Sequence, residues 1–588
     1  MNLDRGSFAK SLTGVLVAAA AAVAMADGAL RAPAATAQTN ARPNIIVILV
    51  DDMGWSDIGP YGGEIPTPNL DALAARGVRF TQFYSTPRCS PTRASLLTGL
   101  YPHQAGMGHL DNVVREGSSG TTGRLNERSV TIAEVLHDAG YFTAMSGKWH
   151  LGQQNGSPPW QRGFERVLSV RAGGMYFPNQ NFQGGDELTR RAQEPLYLDG
   201  TPTPRDAPVF GQNWYATSLW TDFGLKFIDE ARNANKPFFL YFAYNAPHFP
   251  LMAPAELIAR HRGKYKAGWD RLRDARYRRQ IAMGLVDATW PLSPREPDSP
   301  GWESLSDEAK DRFDHLMAVY AAMVEAMDFH IGRVVEHLKK IGEYDNTFIF
   351  FMSDNGADGN SVLDEGQTRP WAEKYSDNSI ENTGRRGSFT EYGPGWAQAA
   401  SPFNMYKAFL YEGGISVPAF AVFPKGMVNG GGIKGQFVHT MDVAPTLLEL
   451  AGTVHPGTVY KGRDVLPIKG KSMLAWLTGN TPSVHPPDHV QGWELGGRKA
   501  VRKGDWKLVY ANKPWGSGAW ELYDLSKDRS ELNNLASSRP DKLKELLAAY
   551  EEYTRDNGVV DIPGLAERPG FSNGREYYKD MLHGRPGQ

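Results

Sequence analysis

The sequence predicts an α/β fold: a large, mostly parallel sheet flanked by helices, with a small C-terminal antiparallel sheet plus helix appended. Three observations carry this expectation. Continuous apolar runs at Asn44–Val50 (NIIVILV), Tyr141–Ser146, Pro237–Tyr244 and Thr347–Met352 have the pattern of strands buried on both faces. Helical patterns lie between them, at Val130–Ala139 and where Tyr320, Val324, Met327, Ile331, Val334, Leu338 and Ile341 recur at spacings of three and four, giving one apolar face. Strand and helix in alternation imply a parallel sheet covered by helices. After about Pro486 the pattern changes: Lys499–Tyr510 and Trp520–Asp524 are short strand-like pieces around Gly and Asp turns, followed by a helix from about Pro540 to Tyr553.

The first segment in chain order stands outside this fold. Arg5 and Lys10 precede an Ala/Val/Leu-rich stretch from Leu12 to Ala26, and Ala35, Thr36 and Ala37 form a small-residue cleavage pattern before Gln38, which reads as a secretory signal. The stretch falls short of the ~20 apolar residues a bilayer requires. Residues 1–37 are therefore expected to be a signal peptide of an exported protein, periplasmic or secreted, with no membrane anchor. Residues 38–485 are expected to form the main α/β domain and 486–588 the smaller α+β subdomain.

Composition narrows the function. The 588 residues are 41% hydrophobic and 22% charged, an ordinary globular balance. With 63 basic and 65 acidic residues the net charge is -2, which gives no bulk electrostatic reason to expect a nucleic-acid or membrane-surface partner. The basic run Arg271–Arg279 reads as a solvated helix face. Two long Gly-, Pro- and aromatic-rich stretches, Gln153–Asn213 and Asp358–Asn404, exceed normal connection lengths and read as lids, rims or surface elaboration. Their aromatics, Tyr176, Phe177, Trp371 and Trp396, could face an aryl group, stack on a sugar or hold the loops together. Cys89 is the only cysteine, which excludes an intramolecular disulfide and, in an exported chain, suggests a special use.

Each of the four strands ends in polar residues. Asp51 and Asp52 follow the first, Lys148 and His150 the second, His248 the third, Asp354 and Asn355 the fourth. In open α/β sheets the ligand site lies beyond the carboxyl ends of the strands, so these groups should converge. Asp51 and Asp52 can act together only where the strand breaks, with Gly54 as the expected turn residue and Gly356 as its counterpart after Asn355. Lys148 and His150, two apart in an extended segment, should share a face. Paired carboxylates repel unless a cation lies between them. The all-oxygen set Asp51, Asp52, Asp354 and Asn355 suits Ca²⁺ or Mg²⁺ and not zinc.

In Cys89–Arg93 (CSPTR), Ser90 suits an N-cap and Pro91 the first helical position, placing Cys89 just outside a helix N-terminus. Taken alone, that position suggests a reactive thiolate.

CSPTR followed by ASLLTG (Ala94–Gly99) resembles the CxPxR signature of the type I sulfatases of the alkaline phosphatase superfamily, and GKWHLG (Gly147–Gly152) resembles their second signature. VDDMG, APHFP and SDNG stand around these in the family's order, and the similarity covers most of the chain. The resemblance implies an arylsulfatase-like hydrolase of sulfate monoesters whose Cys89 is oxidised to formylglycine by a formylglycine-generating enzyme. The hydrated aldehyde would attack sulfur with one hydroxyl and release sulfate by elimination with the other. The metal, Ca²⁺ in preference to Mg²⁺, would be held by Asp51, Asp52, Asp354, Asn355 and the modified Cys89. By position, Arg93 would orient the modified residue, Lys148 and His150 would contact the diol and sulfate with His150 as base, and His248 and Lys407 would bind sulfate and protonate the leaving oxygen. One departure stands out: the family often shows EGGxRxP, whereas this chain has EGGISVP with Ser416, so an effect on packing or substrate fit is expected there. The competing readings are a phosphodiesterase or phosphonate monoester hydrolase of the same superfamily, and a sulfoglycan-binding protein without catalysis.

Overall fold

The computed structural model describes residues 42–179, 194–296, 299–361, 368–428, 431–513 and 515–560. The expected signal, residues 1–37, lies outside the described residues. Among the described residues no helix is long and apolar enough to cross a membrane.

The four apolar runs form strands β1 (Asn44–Val50), β2 (Phe142–Lys148), β3 (Phe238–Ala243) and β4 (Thr347–Ser353). β4, β1, β3 and β2 are adjacent in that order and parallel. A short fifth strand, β5 (Ala419–Val422), runs antiparallel beside β4. Edge strands on both sides, some antiparallel, extend the sheet to ten strands. Alternate residues of β1 enter opposite cores: Ile46, Ile48 and Val50 pack on one face, Ile45, Val47 and Leu49 on the other. This two-sided burial is why the run carries no polar alternation. Val50 pairs with Ser353 and Leu49 with Ala243, so the strands end nearly level.

Helix α1 runs Cys89–Thr98, α2 (Gly268–Ala282) packs beside the loop after β1, and α3 (Asp307–Lys340) lays its apolar face in the core with Ile46, Ile48 and Val50. Ser306 caps α3 by accepting from the Ala309 amide, with Asp307 and Glu308 favourable in the first turn. The apolar face expected from sequence is buried, from Tyr320 and Met327 to Ile331, Val334 and Leu338.

The basic run departs from expectation. Arg271 and Arg278 face solvent, at 72% and 76% side-chain exposure, but Arg273 and Arg276 are buried. Arg276 lies 2.7 Å from both Asp57 and Glu64. Asp57 in turn accepts from the Gly54 amide (2.9 Å) and the Tyr320 hydroxyl (2.7 Å). One face of α2 therefore holds the loop that follows β1, and the carboxylates there supply the charge a buried guanidinium requires.

The C-terminal region forms a four-stranded antiparallel sheet, Val490–Leu495, Arg498–Lys503, Trp506–Tyr510 and Trp520–Asp524. Helix Pro540–Asn557 covers it through Leu546, Tyr550 and Tyr553. The expected piece Lys499–Tyr510 is thus two strands joined at Gly504, which has φ +58°, and Val490–Leu495 adds a strand that the sequence reading did not contain. A buried ionic seam ties this sheet to the main one. Glu412 accepts from Tyr84 (2.6 Å), Lys507 (2.9 Å) and Arg529 (3.0 Å). Lys507 also meets Glu531 at 2.8 Å. Burial raises the Glu412 carboxyl, but Lys507 and Arg529 outweigh it and hold it at about 2. Burial and the neighbouring Glu412 push Glu531 up to about 8 despite Lys507. Arg529 also donates to Ser416 Oγ at 2.8 Å, so the departure at 416 is a packing feature in which a guanidinium arrives from the C-terminal region.

Replacing Arg276 with Met leaves Asp57 buried without its cation and should cost about 3–5 kcal/mol. Urea denaturation measures this, and an unchanged midpoint would count against the role given to Arg276.

Candidate active site

Beyond β1 the chain turns at once. Asp51 donates its amide to the Ala246 carbonyl (3.1 Å), and Asp52 adopts a left-handed φ of +66°, which breaks strand alternation and brings both carboxylates to the same side. Gly54 is not the turn residue. Its φ is ordinary, and a Cβ there would meet Ala400 at 2.3 Å; Gly356 likewise lies against the Gly413 carbonyl, at 2.1 Å from a Cβ position. Both glycines allow close backbone approach.

Cys89 is the first residue of α1, and the N-cap is Arg88 without a side-chain cap. Ser90 does not cap the helix, and its hydroxyl is buried without a partner. Cys89 Sγ lies 3.2 Å from Asp51 Oδ1 and 3.9 Å from Asp52 Oδ1. One turn further, Arg93 donates to the Lys148 carbonyl (2.8 Å) and pairs with Asp354 (3.0 Å) and Asp51 (3.6 Å). Lys148 Nζ meets Asp51 at 2.6 Å, and Lys407 Nζ meets Asp52 at 2.7 Å. Asp354 Oδ1 accepts from the Asp52 amide (3.2 Å), and Asn355 donates to Asp52 Oδ1 (2.7 Å). His248 Nε2 lies 3.5 Å from Asp52 Oδ2. The ends of four strands, the start of one helix and a distant loop thus meet as expected.

His150 is placed differently. Its φ is +59°, so the segment after Lys148 is not extended and the shared-face argument does not apply. Its Nε2 faces Asp111 at 3.5 Å. Two acidic residues were missed from sequence, Asp111 and Asp358, the latter 2.8 Å from Lys407 Nζ. Neither lies in a local motif; the only signal for Asp358 is its position three residues beyond Asn355.

The cluster holds four buried carboxylates, Asp51, Asp52, Asp354 and Asp358, and four buried cations, Arg93, Lys148, Lys407 and, beside Asp358, Arg88. Burial raises Asp51, but Lys148, His248 and Arg93 together hold its carboxyl well below the usual range. Burial pushes Asp52 well up, with Asp358, Asp51 and Asp354 adding to the effect. Asp354 is raised to about 6 by burial and by Asp51. Burial, Lys148 and Lys407 depress His248. Burial, Asp354 and Asp51 raise the Cys89 thiol well above its ordinary value. Burial first, and then the carboxylates, thus act against the pull of the helix N-terminus on this thiol.

A cation fits this arrangement. Donor atoms of Asp51, Asp52, Cys89 and His248 all lie within 4.8 Å of one another. Asn355 Oδ1 is buried without a hydrogen-bond partner, the state of a carbonyl oxygen with lone pairs for a metal.

A family model described as Sulfatase matches residues 43–453. The chain belongs to the sulfatase family. It is a hydrolase of sulfuric esters. A second model, the C-terminal region of N-sulphoglucosamine sulphohydrolase, matches residues 403–552 of this sulfatase. An uncharacterized sulfatase of Schizosaccharomyces pombe is 42% identical over 90% of this chain and 97% of its own length. An arylsulfatase of Klebsiella aerogenes is 39% identical over 77% of this chain and 96% of its own. Among solved structures, Ps i-CgsB in complex with k-i-k-neocarrahexaose aligns with a TM-score of 0.62 at 26% identity, covering 92% of this chain and 98% of that one.

The insertion aromatics of this sulfatase are internal. Tyr176 donates to the carbonyls of Asn245 (2.8 Å) and His248 (2.6 Å), Trp396 donates to the Phe313 carbonyl (3.0 Å), and Trp371 packs edge-on to Phe389. These three hold the loops together, and Tyr176 also fixes the backbone that carries His248.

Removing a partner of a metal ligand typically costs about 10–100-fold in affinity, and removing a ligand should cost no less. Asp52→Asn is therefore expected to weaken binding of an added divalent cation by at least about tenfold, measured by calorimetric titration; wild-type affinity in the variant would remove Asp52 from the site.

Proposed function

We propose that this sulfatase hydrolyses aryl or carbohydrate sulfate monoesters through formylglycine made from Cys89, with Ca²⁺ held by Asp51, Asp52, Asp354, Asn355 and the modified residue. The observation that carries the reading is the place of Cys89: within the CSPTR motif, beside two carboxylates at the metal-capable cluster, with a thiol too basic to serve as a thiolate. The ion would polarise a sulfate oxygen and favour ionisation of the attacking hydroxyl. Lys148, His248 and Lys407 place two cations and an imidazole where a tetrahedral anion would sit, and their hydrogens can hold its oxygens. Protonated Lys407 would supply the proton for the departing oxygen while the neutral His248 ring holds that oxygen through an N–H, and Asp358 keeps Lys407 charged and directed toward Asp52. Arg93 is committed to Asp354, Asp51 and the Lys148 carbonyl, so it braces the site. Maturation by a formylglycine-generating enzyme and export behind residues 1–37 belong to the same proposal.

A phosphonate monoester hydrolase of Silicibacter pomeroyi shares the fold, with a TM-score of 0.54 at 21% identity, so both ester classes should be assayed. Mass spectrometry of the Cys89 peptide from active protein should show an aldehyde, and an unmodified thiol throughout would contradict the mechanism. Turnover of an aryl sulfate should exceed that of the matching phosphate and phosphonate, and the reverse preference would reassign the substrate. Cys89→Ala should abolish turnover while the Ca²⁺-free protein keeps its urea midpoint.

A further inference from the structure

We propose that Asp111 is a positioning residue that fixes the tautomer and orientation of His150, leaving Nδ1 as the atom that accepts the proton during hydrolysis. This rests on the function proposed above and deepens it.

Three residues form a closed arrangement at this point. The His150 amide donates to the Arg171 carbonyl at 2.9 Å. Arg171 Nε donates to Asp111 Oδ2 at 3.0 Å. Asp111 Oδ1 then faces His150 Nε2 at 3.5 Å. Asp111 is 6% exposed and His150 8%, so water does not compete freely for either. Arg171 also meets Glu194 at 3.5 Å, which anchors the arrangement to the long insertion. The left-handed backbone of His150 is costly for a side chain of this kind and persists only where the surroundings over-determine it. The Arg171 carbonyl and the Asp111 carboxylate are those surroundings.

The chemistry follows from donor and acceptor capacity. An ionised carboxylate only accepts, so the imidazole nitrogen facing it carries the proton, and in a neutral ring the other nitrogen keeps its lone pair. That other atom, Nδ1, is buried without a hydrogen-bond partner. Leaving such an atom unsatisfied is costly, a cost that a partner present only in the working enzyme would remove. Burial and the charge of Lys148 bring the ring down to about 4, with Arg93 acting in the same direction, so it is neutral and beside the cationic half of the cluster. In the elimination step a hydroxyl on the Cys89-derived group gives its proton to Nδ1, the O–H pair becomes the C=O bond, and sulfate departs with the C–O pair. Asp111 gains and loses nothing; it acts through His150.

Selective ¹⁵N-imidazole labelling of the full chain reads the tautomer, with His150 assigned by its loss in His150→Gln. The wild type should carry hydrogen on Nε2. In Asp111→Leu the tautomers should mix, and kcat for an aryl sulfate should fall about 10–100-fold with KM little changed, while Asp111→Glu recovers part of the loss. A wild-type ring protonated on Nδ1 overturns the proposal, as does wild-type kcat in Asp111→Leu. If Asp111→Leu does not fold, the wild-type tautomer alone decides. A Cys89 without an aldehyde would sink the formylglycine mechanism but leave the tautomer measurement intact, so the two failures are distinguishable.

Discussion

The arrangement of this sulfatase depends on burying charge of both signs in one place. Moving a carboxylate or an ammonium out of water costs several kcal/mol per ion even after relaxation, and the mutual attraction repays this only when every charge meets a well-placed partner. At the strand ends that condition is met residue by residue: Lys148 on Asp51, Arg93 on Asp354, and Lys407 between Asp52 and Asp358. The unpartnered oxygen of Asn355 is left available to a cation. Electrostatics, not apolar packing, therefore fixes the relative positions of the clustered side chains, and the apolar sheet supplies the low-dielectric floor on which those attractions are strong.

The rest of the molecule braces that floor. Arg276 reaches from α2 to hold Asp57 and so the loop after β1, and Tyr176 holds the backbone of His248. Glu412, five residues beyond Lys407, is pinned by Lys507 and Arg529 from the C-terminal region. In each case a polar group far away in sequence supplies a fixed partner for an element that carries the site. This is the support that sub-ångström placement of reacting groups requires.

Much of this was legible in the sequence. Asn44–Val50 and Trp520–Asp524 match their observed strands residue for residue, because an uninterrupted apolar run or a strand set between turns has little alternative. β5 was not legible: four residues are too few for a period to show. The convergence of Asp51, Asp52, Lys148, His248, Asp354 and Asn355 follows from a general rule about strand ends and needed no coordinates. The fine geometry did not. Asp52 and His150 adopt left-handed backbones that are imposed by tertiary contacts, so alternation misplaced His150 and assigned the turn to Gly54. Asp111, Asp358 and Arg276 are defined by partners 39 or more positions away. Neither composition nor periodicity carries information at that range.

Cys89 is 1% exposed, and two of the charged groups that act on it, Asp354 and Lys407, arrive late in the chain. A chain made from its N-terminus carries the CSPTR segment long before the groups that will cover it exist. Any other protein that works on the sulfur must therefore act while the chain is still open. On the proposed formylglycine mechanism, burial of Cys89 becomes a clock: folding ends the period in which the residue can be altered from outside.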